Sequence, residues 1–207
     1  MENKTKAGSF RVVGLTGPTG SGKSTVSKIL SGWKEISVID CDQLSRRVVG
    51  QGSPCLMELA LEFSSSIIDP HGELNRRKLA GIVFSNPRKL RRLNEIMFPY
   101  ILREIDAEIA KARAAGCKVA VLDAPTLFES GADRKCDEII VVVAKPEIRF
   151  QRLLERDGIT PEEVARRMES QSENQFYEDH ADYIIRNDGN PISLRISVVE
   201  LLNHLGL

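Results

Sequence analysis

Short apolar runs alternate along this chain with stretches in which apolar residues recur every three or four positions. Five of the runs read as strands: Arg11 to Thr16, Ser37 to Asp40, Lys118 to Asp123, Glu138 to Val143 and Tyr183 to Arg186. Near-continuous runs such as Ile139 to Val143 suit strands covered on both faces. Strands separated by helical patterns predict an α/β fold, a parallel sheet of about five strands with helices on both faces. The first helix opens at Lys23 and runs to Leu30. From Gly50 to Gly116 the pattern is largely helical, with Asn75 and Asn86 as candidate N-caps and Pro87 at a first helical position. The helix from Pro87 carries an apolar stripe of Leu90, Leu93, Ile96 and Met97, and its arginines and Lys89 read mainly as a solvated face. Pro99 is expected to interrupt it, with helix resuming from Tyr100 to Ala115. A further inserted piece begins near Arg149. There Thr160-Pro161-Glu162-Glu163 forms a capping box that predicts a helix from Pro161 to about Gln175, in an arginine-bearing, mobile lid.

At 207 residues the chain suits one domain, 10–207, with a helical insertion at about 50–116, a lid at about 149–178 and a flexible polar tail at 1–9. Its 29 basic and 29 acidic residues cancel, which argues against a protein built mainly to hold a nucleic-acid backbone. Cys41, Cys55, Cys117 and Cys136 show neither C-x-x-C pairing nor zinc spacing and read as reduced thiols. With no secretory apolar segment and no apolar run of membrane-spanning length, the expectation is a soluble cytoplasmic protein without a membrane partner.

The chemistry is announced by Gly17-Pro18-Thr19-Gly20-Ser21-Gly22-Lys23-Ser24, a phosphate-binding loop set between a strand and a helix. Its glycines let successive backbone N–H groups turn toward an anion, and the helix N-terminus adds its own unpaired N–H groups. In this motif Lys23 reaches the β- and γ-phosphates, Ser24 holds Mg²⁺ and Thr25 lies by the α-phosphate, so ATP and Mg²⁺ are the expected ligands. Asp40-Cys41-Asp42 stands at the end of the second strand, where open α/β sheets place their ligands. On an extended exit the two carboxylates would diverge, leaving Asp42 as the candidate base for an acceptor hydroxyl; the alternative is that both cap the next helix. Asp123, ending the third strand, could approach Mg²⁺, orient Lys23 or serve only in a turn. Pro125, Phe128 and Glu129 at the same edge could wall an organic acceptor, although packing explains Phe128 as well. Arg152 and Arg156, four apart, would share a helix face suited to a triphosphate, or pair with Glu155, Asp157 or Glu163. Arg46, one turn past Asp42, could meet an acceptor phosphate or a carboxylate. No N-K-x-D segment for reading guanine is present, which disfavours a GTP switch.

Taken in order, these pieces resemble the dephospho-coenzyme A kinase family. The resemblance rests on Leu15-Thr16-Gly17 through Thr25, Val38 to Asp42 with Arg46, Gly72-Glu73-Leu74-Asn75-Arg76, Leu93-Asn94-Glu95-Ile96, Asp123-Ala124-Pro125, Leu127-Phe128-Glu129, Gln151-Arg152-Leu153, Gln171 and Ala181 to Asn187. It implies ATP-dependent phosphorylation of the ribose 3′-hydroxyl of dephospho-coenzyme A, with Asp42 as base, Arg152 as the lid arginine, Asn187 near the adenine and Arg76 among the acceptor-binding residues. Another small-molecule or nucleoside monophosphate kinase on the same core is the alternative. Three positions depart from the family pattern: Phe98 before Pro99 where histidine is usual, Cys41 where alanine is common and Thr126 where leucine is common.

Overall fold

The computed structural model describes residues 10–207, so the expected tail at 1–9 lies outside the described residues. The strands are β1 (Arg11–Thr16), β2 (Ile36–Asp40), β3 (Val119–Asp123), β4 (Glu138–Val143) and β5 (Tyr183–Arg186). They form one sheet in the order β2-β3-β1-β4-β5, and β1 pairs in parallel with β3 and β4, as β4 does with β5. The helices are α1 (Lys23–Leu30), α2 (Cys41–Arg47), α3 (Pro54–Phe63), α4 (Arg76–Val83), α5 (Pro87–Ala114), α6 (Pro146–Asp157), α7 (Pro161–Glu169), α8 (Asn174–Asp179) and α9 (Pro191–His204). The α/β class and its five strands therefore stand as expected.

The chain divides into two compact units. One comprises residues up to Ile39 with Ile109–Leu207; the other is Asp40–Glu108, where the sequence pattern suggests an insertion at about 50–116. In the first unit, Val13 and Leu15 of β1, Val121 of β3 and Ile140 and Val142 of β4 pack with Val26 and Leu30 of α1 and with Leu194, Val198 and Leu201 of α9. A second cluster joins Val141 and Val143 to Tyr177, with Phe128 and Phe176 against it. Alternate residues of β4 thus serve the two clusters, the period of two that a sheet requires.

In the second unit, local chemistry sets the helix starts. Asp40 accepts from the Gln43 N–H at the head of α2, Ser53 from Leu56 at α3, and Asn75 from Lys78 at α4. An Asp69 carboxylate accepting from the His71 and Glu73 N–H groups folds the turn ahead of α4, closed by a bridge between Ile68 and Leu74.

Two helix boundaries differ from expectation. The helix does not stop at Pro99: α5 continues through it for 28 residues. Proline removes one backbone hydrogen bond, yet Ile96, Ile101 and Ile105 stay buried on both sides of it, and that continuous apolar stripe holds the turn. The helix opening at Pro161 instead ends early, at Glu169, and α8 starts at Asn174. Its capping box at Thr160 and Glu163 is present as read. The break leaves Gln171 and Asn174 available for hydrogen bonds outside the helix.

Candidate active site

The loop between β1 and α1 is shaped by backbone that only glycine tolerates. Gly17 has φ 144° and a Cβ there would lie 2.1 Å from the Val142 carbonyl oxygen; Gly22 has φ 95° and its Cβ would lie 2.1 Å from Asn187 Nδ2. The Gly22 carbonyl accepts from the N–H groups of Thr25 and Val26, so α1 starts directly on the loop. Lys23 and Ser24, at its first two positions, carry N–H groups with no intrahelical acceptor. Two buried hydroxyls here, Thr16 Oγ1 and Ser21 Oγ, have no hydrogen-bond partner. Buried polar atoms are ordinarily satisfied. A glycine loop running into a helix N-terminus, with an unsatisfied buried hydroxyl, fits a polyphosphate.

The Lys23 ammonium pairs with the Asp123 carboxylate at the end of β3, both side chains being mostly buried. Of the readings open for Asp123, contact with Lys23 is the one present here.

Behind the loop, its carbonyls are taken by side chains from later elements. Asn187, just past β5 and buried, donates from Nδ2 to the Ser21 carbonyl at 2.8 Å. Arg152 on α6 donates to the Gly20 and Ser21 carbonyls at 3.4 Å each and to the Asn187 carbonyl at 3.0 Å. Arg149 Nε donates to the Thr19 carbonyl at 2.9 Å, while the Gln171 side-chain oxygen accepts from the Thr19 N–H at 2.8 Å. Burial lowers the Arg149 pKa from its ordinary value.

Of the two readings open for Arg152 and Arg156, a shared triphosphate face or pairing with a nearby carboxylate, Arg156 shows the second. Arg156 pairs with Asp157, which also pairs with Arg167, and the Arg156 hydrogen bonds hold the Asp157 carboxyl below its usual range. The arginine that joins Arg152 at the loop is Arg149, one turn earlier. Its sequence signal is a cation on the buried face of an amphipathic helix, in register with Leu153.

Phe128 packs edge-on against Phe176, with ring centroids 5.4 Å apart, and lies near Tyr177 and His180. Core packing, one of its two readings, is therefore realised. Glu129 is exposed and its charge, second to burial, raises the Tyr177 pKa; Pro125 is half-buried.

In the second unit, the aspartates do not leave β2 on an extended strand, because helix begins at Cys41. Asp40 is the N-cap, and Asp42 sits exposed in the first turn of α2. Arg46 lies one turn later on the same helix. The neighbouring Arg47 pairs with Glu104 and Glu108 of α5, tying α2 down within this unit. Arg76 is exposed at the first position of α4.

A parallel sheet with β1 at its centre, a glycine loop opening onto α1 and a lysine held at the loop define a phosphate-loop kinase as the class. The dephospho-CoA kinase family model matches residues 11–192. The chain is 39% identical to a dephospho-CoA kinase of Corynebacterium glutamicum over 190 residues, 92% of this chain and 94% of that one. It superposes on the crystal structure of TT1252 from Thermus thermophilus with a TM-score of 0.81 at 30% identity, covering 95% and 98% of the two chains. A dephospho-CoA kinase from Campylobacter jejuni shares the fold, with a TM-score of 0.71 at 23% identity over 94% and 96%. The chain belongs to the dephospho-CoA kinase family, and it is a kinase.

Proposed function

We propose that this protein transfers the γ-phosphoryl group of ATP to the ribose 3′-hydroxyl of dephospho-coenzyme A, giving coenzyme A and ADP in the last step of coenzyme A biosynthesis. The observation that carries this reading is the family match across residues 11–192 together with a phosphate loop whose every motif position is intact. The net charge is zero, and among the described residues no helix is long and apolar enough to cross a membrane.

In this mechanism Gly17, Gly20, Ser21, Gly22, Lys23, Ser24 and Thr25 bind the triphosphate through backbone N–H groups and hydroxyls, and Asn187 keeps the loop in shape through Ser21. Lys23 neutralises charge on the β–γ bridge, and Asp123 keeps its ammonium aimed there. Arg152, already at the loop, stabilises charge on the group in transfer. Asp42 orients the acceptor hydroxyl and takes its proton as the new bond forms. Pro125, Phe128 and Glu129 of the first unit, and Arg46 and Arg76 of the second, are each assigned to acceptor binding, and 149–178 to the lid. Ser24 and Asp123 are the residues that would hold Mg²⁺. When bound, it would offset negative charge on the phosphates. No cluster of three or more His, Cys, Asp or Glu side chains suited to a metal exists among the described residues. That fits Mg²⁺, which takes one or two protein oxygens and completes its shell with phosphates and water.

An assay offering ATP with dephospho-coenzyme A, dAMP, dCMP or shikimate tests the acceptor; turnover confined to one of the other three would refute the assignment. Asp42→Asn tests the base. It should melt near the wild-type temperature, retain ATP binding and lose about 10²-fold or more in kcat. Full turnover in the folded variant would remove Asp42 from the mechanism.

A further inference from the structure

The geometry points to Arg149 as a positioning residue that fixes the phosphate loop and ties it to the connection between α7 and α8. It rests on the reading of this loop as the ATP site. The position looks wrong for an arginine. It shares the buried face of α6 with Leu153 and is itself only 4% exposed. Burying a guanidinium is unfavourable unless its hydrogen bonds are met, and a carboxylate is the usual companion. Arg149 forms no ion pair among the described residues. Two of its five N–H donors go to the Thr19 carbonyl at 2.9 Å and to Asn174 Oδ1 at 3.1 Å. Burial, the main cause of its lowered pKa, is not offset by a nearby carboxylate.

What the charge helps to secure is one residue of the loop, held through the two peptide units that meet at it. Thr19 is gripped at its carbonyl by Arg149 and at its N–H by Gln171. Asn174, the second partner of Arg149, also donates to the Ala144 carbonyl at 2.9 Å, which fixes it to the end of β4. Gln171 and Asn174 flank the break between α7 and α8, so both ends of that break reach the loop through one arginine and one amide. At the next residue the fit is equally close: a Cβ at Gly20 would lie 2.9 Å from the Arg149 carbonyl oxygen. The backbone of α6 therefore forms the floor on which the loop lies. Phosphoryl transfer depends on where the loop N–H groups sit, and displacements of about 1 Å can cost roughly 10²-fold in rate. A neutral amide could satisfy one carbonyl. Only a planar fork with several donors bridges Thr19 to Asn174.

The test uses the full enzyme carrying Arg149→Met, Asn174→Ala and both together. Melting curves give the folded fraction, calorimetry gives ADP affinity without acceptor, and turnover is expressed per folded molecule. Arg149→Met should weaken ADP binding about tenfold or more and lower kcat by about 10–100-fold. Adding Asn174→Ala should cost less than about twofold further, because the bridge is already gone. Unchanged ADP affinity and kcat in folded Arg149→Met protein would overturn the proposal, as a structural role alone would alter the folded fraction only. Full multiplication of the two effects in the double variant would overturn the bridge. If Arg149→Met does not fold, Gln171→Ala with Asn174→Ala carries the same test on less buried side chains: each should weaken ADP binding, the pair less than multiplicatively, and normal affinity in both refutes the clamp. Because ADP binding involves no acceptor, wild-type protein that binds ADP yet leaves dephospho-coenzyme A untouched would refute the proposed substrate and leave this result readable.

Discussion

Gly22→Ala should be among the more damaging single methyl groups that could be added to this protein. Two costs arise at once. An alanine held at φ 95° departs from the regions open to L-residues, at about 1–2 kcal/mol. Its Cβ would also fall 2.1 Å from Asn187 Nδ2, inside any permissible contact. Asn187 is buried and hydrogen-bonded to the Ser21 carbonyl, so it must swing away and forfeit that bond, at about 1–1.5 kcal/mol. The total, about 2–3.5 kcal/mol, corresponds to a fall in melting temperature of roughly 4–14 °C for a domain of this size. The double variant Gly22→Ala/Asn187→Gly separates the parts: with the amide gone, the clash disappears and only the backbone cost and the missing bond remain. It should therefore lose less than the two single variants summed. Thermal unfolding monitored by circular dichroism, with ADP binding alongside, makes the measurement. A Gly22→Ala protein melting within a degree or two of wild type would show that the loop does not hold this backbone geometry, and additive losses would show that the amide and the glycine are not in contact.

Three further outcomes follow from the same site and from the second unit. Lys23→Ala should fold and lose nearly all turnover, since it removes the ammonium and leaves the Asp123 carboxylate unpaired in a mostly buried position; a kcat near wild type in steady-state assay would exclude Lys23 from the chemistry. Arg152→Ala should lower kcat by more than it raises the KM for ATP, and a change confined to KM would mean ground-state binding alone. Burial, with a smaller contribution from Glu58, pushes the Cys55 thiol up to about 11 from a reference of 9.0. The folded protein thus keeps a proton that the unfolded chain releases, and stability from this group is complete below about pH 9 and is lost as pH rises toward 11. Urea titrations should show a declining free energy across that window in wild type and a shallower decline in Cys55→Ala, and equal slopes would contradict the assignment.

What could be read from the chain was what is encoded locally. The strand runs, the caps at Asn75 and Asn86, the capping box at Thr160 and the phosphate loop each depend on neighbours within a few residues, and all are found where the pattern puts them. Pro99 misleads because its local penalty is overruled by a stripe of isoleucines whose burial is not a local property. For the arginines, spacing left two readings open and a local contact decides between them. Spacing makes Arg156 a neighbour of Arg152 on α6, but Asp157, the very next residue, captures it. Arg149 was invisible as a site residue because its partners lie 130 positions upstream and 25 downstream. The placement of Asp42 was not legible, since the helix starts one residue sooner than an extended exit would allow.

The parallel order of the sheet also sets a timetable for synthesis. β1 lies at the centre of the sheet, and its hydrogen-bonding partners are β3, where Arg11 meets Val119, and β4, where Val13 meets Glu138. Both partners leave the ribosome more than about a hundred residues after it, a delay of roughly 5–25 s at ordinary elongation rates. During that interval the run Val12-Val13-Gly14-Leu15 has two unpaired edges and an apolar face on each side, the features that invite strand pairing between chains. Until Glu138 to Val143 has emerged, this run has no partner on either edge within its own sheet. Slowing translation after residue 40 should lengthen this exposure and lower the soluble yield.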